Sequence, residues 1–149
     1  MKVALARVIR NAIRKEQQAR NLYLRARKLA QDPATGTLLD SLAGEEASHA
    51  ALLRGKGLKA FLASKPPPIQ DLRITEFLVP RKLSAQAAFQ DVLVYAMKRE
   101  AASYWAYQAL AETAEDGPTR RLFRRLAQEE RLHRNRLERV YDDVIFAED

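Results

Sequence analysis

Two halves of the chain repeat one another at a constant offset of 84 residues, with no gap in the alignment. Each half contains a glutamate and, 30 positions later, a Glu-x-x-His motif. Residues three apart on a helix project from one face, so each motif directs a carboxylate and an imidazole toward one point. Four carboxylates and two imidazoles in a two-fold related set are suitable ligands for two metal ions. We call these residues the first triad (Glu16, Glu46 and His49) and the second triad (Glu100, Glu130 and His133).

Length and composition restrict the kind of protein this can be. A chain of 149 residues predicts one domain, residues 1–149, large enough to bury a single core. Because the chain contains no cysteine, disulfides, thiolate-bound zinc and cysteine-ligated iron are excluded, and any iron must be bound by glutamate and histidine. The apolar residues near the N-terminus are interrupted by Arg7 and Arg10, so neither a signal peptide nor a membrane span is predicted. We therefore expect a cytoplasmic protein.

The formal net charge of +7 raises the question of a nucleic-acid partner, because a basic surface attracts phosphate groups. Most arginines, however, fall at helical positions away from the apolar stripe, which is typical of a solvated face. This pattern favours ordinary surface charge over nucleic-acid binding, and we expect no membrane partner either. The arginines in question are Arg120, Arg121, Arg124, Arg125, Arg131 and Arg134.

Apolar residues that recur at steps of three and four predict four amphipathic helices. The first two extend from about Val3 to Gln31 and from about Thr37 to Arg54. The third follows Ser84 as its N-cap and extends to about Ala114, and the fourth extends from about Thr119 to Phe146. Both triads fall on the predicted inward stripes, which on the second and fourth helices begin with Leu38 and Leu122.

The connection between the second and third helices, from about Gly55 to Leu83, is too long for a tight turn, which takes only ~2–8 residues. Leu58–Ala63 is compatible with a helical continuation, whereas Pro66–Pro68 stops any helix. We therefore predict two helical hairpins joined by a long crossover, the ferritin-like form of the all-α four-helix bundle. Such a crossover allows the second hairpin to fold back on the first or to pass to a partner chain, and we favour folding back.

The glutamates of the triads fall on stripes otherwise occupied by apolar residues, where burying an uncompensated carboxylate is costly. Together they carry about −4 of charge, which two divalent cations would balance. The alternative is a buried salt-bridge network without metal, although the arginines are predicted to face outward. Carboxylates that bridge two ions, with one imidazole on each, suit iron or manganese, and zinc would bind the same ligands.

Tyr23 and Tyr107 lie seven residues after the first glutamate of each triad, two helical turns along the same stripe. They could pack in the core with the hydroxyl bonded to a carbonyl group, or they could donate a hydrogen bond to a ligand carboxylate and so contribute to catalysis. Tyr104 and Trp105 are compatible with packing or with a path for electrons. Spacing alone leaves these alternatives open.

Four motifs, one on each predicted helix, carry a family resemblance. They are Glu16 with Leu22-Tyr23, Leu42-Ala-Gly-Glu-Glu-Ala-Ser-His49, Ala96-Met-Lys-Arg-Glu100 with Tyr107, and Leu126-Ala-Gln-Glu-Glu-Arg-Leu-His133 with Tyr141-Asp-Asp143. With these motifs the chain resembles the rubrerythrin-like branch of the ferritin-like di-iron proteins over nearly its whole length. The resemblance implies a di-iron site with the six triad residues as ligands, which reacts with hydrogen peroxide or dioxygen in a homodimer or larger homo-oligomer.

Two departures from the family pattern bear on function. Full-length rubrerythrins add a rubredoxin domain with cysteines, and this chain has no cysteine, so its electrons would come from another protein. Those proteins also carry an additional glutamate one turn after the third-helix ligand, where this chain has Ser103. The serine makes the predicted site more symmetric, as in bacterioferritin-like ferroxidase centres.

The leading functional hypothesis is a di-iron oxidoreductase that reduces hydrogen peroxide or dioxygen, in oxidative-stress defence or iron homeostasis. A second hypothesis is a ferroxidase or iron-storage protein that consumes ferrous iron as substrate. A third is a non-catalytic basic binding module in which the metal is structural.

Overall fold

The computed structural model describes residues 2–55, 72–79 and 82–145. No β-strand occurs in these ranges, and the fold is the predicted all-α, ferritin-like four-helix class. None of the described helices is both long enough and apolar enough to cross a membrane. The four long helices are α1 (Lys2–Leu29), α2 (Pro33–Leu53), α3 (Phe89–Thr113) and α4 (Gly117–Val140), with a short 3-10 helix at Ile74–Phe77 and a π-helical turn at Tyr141–Ile145.

The helices form two compact units, one containing α1 and α2 and the other containing α3 and α4. Within each unit the two helices pack against each other along their length, and we call these pairs the first hairpin and the second hairpin. The single domain over residues 1–149 stays a prediction from the sequence.

Equivalent caps begin the second helix of both hairpins. Asp32 accepts hydrogen bonds from the backbone N–H and the hydroxyl of Thr35 at 3.1 and 2.9 Å. Asp116 accepts the same two bonds from Thr119 at 2.7 and 2.8 Å. These bonds lower the pKa of both carboxyl groups, chiefly through the hydroxyl at Asp32 and through the backbone N–H at Asp116. The sequence repeat is therefore also a repeat of local structure.

Three predicted helix boundaries are wrong, and the caps explain two of them. Because Asp32 and Asp116 are N-caps, α2 begins at Pro33 rather than Thr37, and α4 begins at Gly117 rather than Thr119. Ser84 is not the N-cap of α3. Its carbonyl instead accepts a turn bond from Ala87 N–H at 3.2 Å, and the helix begins five residues later, at Phe89.

The predicted inward stripes are correct over the central turns and shift near the helix ends. On α2, Leu42 and Leu53 are buried as predicted, but Leu39 rather than Leu38 is fully buried. The repeat-related position on α4 behaves alike, because Phe123 is buried while Leu122 is only half-buried. The cause is that each residue of a helix advances by about 100° around its axis. Leu38 and Leu122 lie eight residues before Glu46 and Glu130 and so point about 80° away from them, whereas Leu39 and Phe123 lie seven residues before them and point within about 20°.

Two arginines differ from the prediction of a solvated face. The side chains of Arg125 and Arg134 are only 10% and 12% exposed, and each is paired with a carboxylate one turn further along α4, which compensates its charge. Their partners are Glu129 at 3.9 Å and Glu138 at 3.5 Å. The predictions for Leu58–Ala63, for Pro66–Pro68 and for the end of the last helix at Phe146 fall outside the described residues.

Candidate metal centre

The first hairpin brings the whole first triad together. Glu46 and His49 lie one turn apart on α2, and Glu16 faces them from α1. His49 Nδ1 lies 3.4 Å from Glu16 Oε2, and each residue offers a ligand atom within 4.8 Å of the others. All three are at most 3% exposed.

The second hairpin repeats this arrangement with the second triad. His133 Nδ1 on α4 lies 3.7 Å from Glu100 Oε1 on α3 and 3.9 Å from Glu130 Oε2 one turn earlier on its own helix. The three residues are at most 2% exposed, and their ligand atoms also lie within 4.8 Å of one another. All six sequence-predicted ligands are therefore buried, and each triad is assembled within its own hairpin.

The geometry of each triad fits a transition-metal ion. Imidazole nitrogens and carboxylate oxygens bind such ions at roughly 2.0–2.2 Å, so two ligands of one ion are about 3–4.4 Å apart. The imidazole-to-carboxylate distances of 3.4, 3.7 and 3.9 Å fall within this range. Two carboxylates and one neutral imidazole would also balance one divalent cation. This set of oxygen and nitrogen ligands is suited to iron, manganese or zinc.

Tyr23 and Tyr107 are both buried, as either interpretation of them requires. The ring of Tyr107 stacks on Phe123, with centroids 6.1 Å apart and an angle of 22° between the planes, so this tyrosine packs in the core of the second hairpin. A hydrogen bond from either hydroxyl to a ligand carboxylate stays a prediction.

A buried carboxylate that sequence reasoning missed lies on α4, five residues after His133 of the second triad. Glu138 is fully buried and accepts a hydrogen bond from the backbone N–H of Thr75 at 2.6 Å, which ties the short 3-10 helix to α4. Its other oxygen lies beside Arg134. The sequence contains one sign of Glu138. The 84-residue repeat is broken at this position, because the equivalent residue of the first half is Arg54.

Comparison with known proteins gives two matches. Residues 7–141 match the family model described as Rubrerythrin. Among solved structures, the chain is similar to a hypothetical protein from Pyrococcus furiosus, with a TM-score of 0.68 and 26% sequence identity over 93% of this chain and 88% of that one. No curated protein matches significantly.

Proposed function

Since the chain belongs to the rubrerythrin family, we propose that its two triads combine into one di-iron centre at which hydrogen peroxide is reduced to water. The observation that carries the proposal is the pair of buried, repeat-related triads, each with its ligand atoms within 4.8 Å of one another. Manganese or zinc would fit the same ligands, and dioxygen is the alternative oxidant. A role in oxidative-stress defence or iron homeostasis and a cytoplasmic location are parts of this proposal.

When bound, two ferrous ions supply the two electrons needed to cleave the oxygen–oxygen bond and stabilise negative charge on the oxygens. The residues of the chain perform three other tasks. The carboxylates of the two triads would neutralise the ions, and each imidazole presents Nδ1 beside a carboxylate. The burial of these side chains excludes bulk water and so strengthens each electrostatic interaction. None of the 149 residues is a cysteine, so none of them can ligate a cysteine-bound electron-transfer centre, and we propose that a separate donor protein supplies the electrons.

We further propose that the protein is a homodimer or larger homo-oligomer in which each centre uses both hairpins of one chain. Coexpression of a Glu16→Gln chain with a differently tagged Glu100→Gln chain tests this. If each chain folds back on itself, every centre in the mixed dimer carries one altered ligand. If hairpins are exchanged, one centre is intact and the other carries both changes. Iron bound at wild-type affinity in half of the centres would therefore contradict folding back.

Ser103 supports a ferroxidase as the second candidate function. This residue lies one turn after Glu100 on α3 and is half-buried, and it offers a hydroxyl where the peroxide-reducing members of the family carry a carboxylate. Stopped-flow oxidation of the di-ferrous protein separates the two functions. Faster oxidation by peroxide than by dioxygen supports the peroxidase. Equal rates, with continued oxidation of added ferrous iron well beyond two ions per chain, would support the ferroxidase.

Replacing Ser103 with glutamate should increase the preference for peroxide. Glutamate is a good helix former, and position 103 lies on the same side of α3 as Glu100, so the new carboxylate can reach the metal without disturbing the helix. Ala102→Glu is the matched control, because it adds the same charge one residue away at an exposed position. A preference that changes equally in both variants would show that charge alone is responsible.

A further inference from the structure

The second hairpin contains a basic cavity outside the second triad. Its volume is about 390 Å³, and it lies between α3, α4 and the segment that includes the short 3-10 helix. Four cationic side chains line it against a single carboxylate, that of Glu76. We call it the basic cavity, and the residues that matter to its chemistry are Arg73, Lys98, Tyr104, Trp105, Arg131 and Arg134.

The charge of the cavity is not a requirement of the hairpin fold. In the first half of the chain, the positions equivalent to Arg131 and Arg134 are Ala47 and Ala50. The first hairpin forms the same helix pair and the same triad with alanine at both positions. The two arginines are therefore specific to the second hairpin, where the cavity is. Arg134 is also held in place there by its ion pair with Glu138 at 3.5 Å.

Arg73 adds an independent sign of function. It is the one non-glycine residue in the described ranges with a left-handed backbone, with φ of 58°. This conformation is unfavourable for a residue with a long side chain, and it is retained only when the surrounding structure holds it. At this position it allows the chain to enter the 3-10 helix with the arginine at the wall of the cavity.

Trp105 gives the cavity an aromatic surface. It is 66% exposed, although a tryptophan ring is normally among the most buried surfaces of a protein. Tyr104 contacts it edge to face, with centroids 5.0 Å apart, and the Tyr104 hydroxyl accepts a hydrogen bond from Gln108 at 3.1 Å. The tryptophan is therefore supported from one side, and its exposed ring surface can stack on a planar ligand.

We propose that the basic cavity binds a nucleoside phosphate. Several arginine and lysine side chains match a multiply charged phosphate, the exposed indole matches a base, and Glu76 accepts hydrogen bonds from ribose hydroxyls or an exocyclic amino group. The volume of about 390 Å³ lies in the range of small-molecule sites, roughly 300–1,000 Å³. A simple oxyanion would leave the indole unused, and an uncharged base would leave the cations unused.

Binding of AMP to the full-length protein tests the proposal, with inorganic phosphate and adenosine as the two partial ligands. Trp105 is the only tryptophan in the sequence, so its intrinsic fluorescence reports directly from the cavity. We expect saturable binding of one AMP per chain with a change in this fluorescence, and weaker binding of phosphate or adenosine alone. Isothermal titration calorimetry gives the affinities independently of the fluorophore.

Three variants locate the site. Lys98→Ala should weaken AMP binding by about tenfold, because it removes one charge-assisted contact. Trp105→Leu should weaken AMP binding by about tenfold and leave phosphate binding unchanged. Arg14→Ala is the matched control, because Arg14 is an exposed residue that occupies in the first half the position of Lys98. It should leave AMP binding unchanged, and circular dichroism of each variant checks the fold.

Each alternative result overturns the proposal. AMP that binds no more tightly than phosphate, or equally well to the Trp105→Leu protein, would show a simple anion site. Equal weakening by Lys98→Ala and Arg14→Ala would show unspecific attraction to a basic protein. AMP could instead bind through its phosphate to metal at the triads. In that case, neither Lys98→Ala nor Trp105→Leu would change the affinity for AMP.

Discussion

Replacing His133 with alanine is expected to remove one metal ion per chain and to leave the first triad able to bind its own. His49→Ala should give the mirror result, because the two histidines have equivalent places in the repeat and nearly equal burial, 0% for His133 and 2% for His49. The wild-type protein should hold about two ions per chain, one for each triad.

The size of the effect follows from this one-ion-per-triad arrangement. An ion present at about 100 times its dissociation constant stabilises the fold by about 2.7 kcal/mol, so two ions contribute about 5.4 kcal/mol. For a chain of this length, about 1 kcal/mol changes the midpoint of thermal unfolding by roughly 2–4 °C. Metal should therefore raise the wild-type midpoint by about 11–22 °C and that of each histidine variant by about half as much.

The assay is metal analysis together with thermal unfolding of each protein with and without iron. Comparing the two states of the same variant cancels the loss of packing that any buried substitution causes, since it is present in both. Asn135→Ala is a suitable control, because Asn135 is a buried polar residue two positions after His133 that is not a predicted ligand. It should change stability but not metal content. Unchanged metal content and an unchanged metal-dependent shift in both histidine variants would refute the six-ligand site.

Two further predictions concern the scaffold. Changing both Asp32 and Asp116 to asparagine should make the free energy of unfolding decrease less steeply as the solution is acidified. Their folded-state pKa values lie below the ordinary 3.8, so their contribution is complete above that pH and is lost as the pH falls through the lowered values. Asparagine also caps a helix, but it does not titrate. Urea unfolding of both proteins between about pH 2.5 and 7 measures how the free energy of unfolding depends on pH. Parallel pH profiles for the wild-type and the double variant would contradict this prediction. Glu138→Gln should lower stability by about 2 kcal/mol, or about 4–8 °C, by weakening the bond from Thr75 N–H and the buried ion pair. Glu129→Gln is the control, because Glu129 lies 3.9 Å from Arg125, and the expected loss of stability is below about 1 kcal/mol. Equal losses of stability in the two variants would argue against a special role for Glu138.

The sequence was sufficient to predict the residues of both triads and the class of fold. The reason is that this information is local: a Glu-x-x-His spacing puts two side chains on one helical face, and the aligned repeat supplies the partner helix of each hairpin. The caps were also local, since Asp32 and Asp116 lie three residues before the threonines that bond to them. The error of a few residues arose because the predicted starts of α2 and α4, at Thr37 and Thr119, lay at or beyond the threonines that bond to the caps, whereas the helices begin directly after the caps.

Other features depended on contacts between residues distant in the sequence. Glu138 accepts a hydrogen bond from Thr75, 63 residues away. Its other oxygen lies beside Arg134, whose side chain is only 12% exposed although its spacing indicates a solvated face. The basic cavity likewise needs Arg73 to lie beside α3 and α4. Periodicity specifies which face of a helix is buried, but it does not specify the register between helices or the path of an irregular segment, because both depend on side-chain packing across the interface. The sequence by itself therefore determined the two repeated triads and the helices that carry them, and the tertiary structure decided which charges are buried and where the second hairpin opens into a cavity.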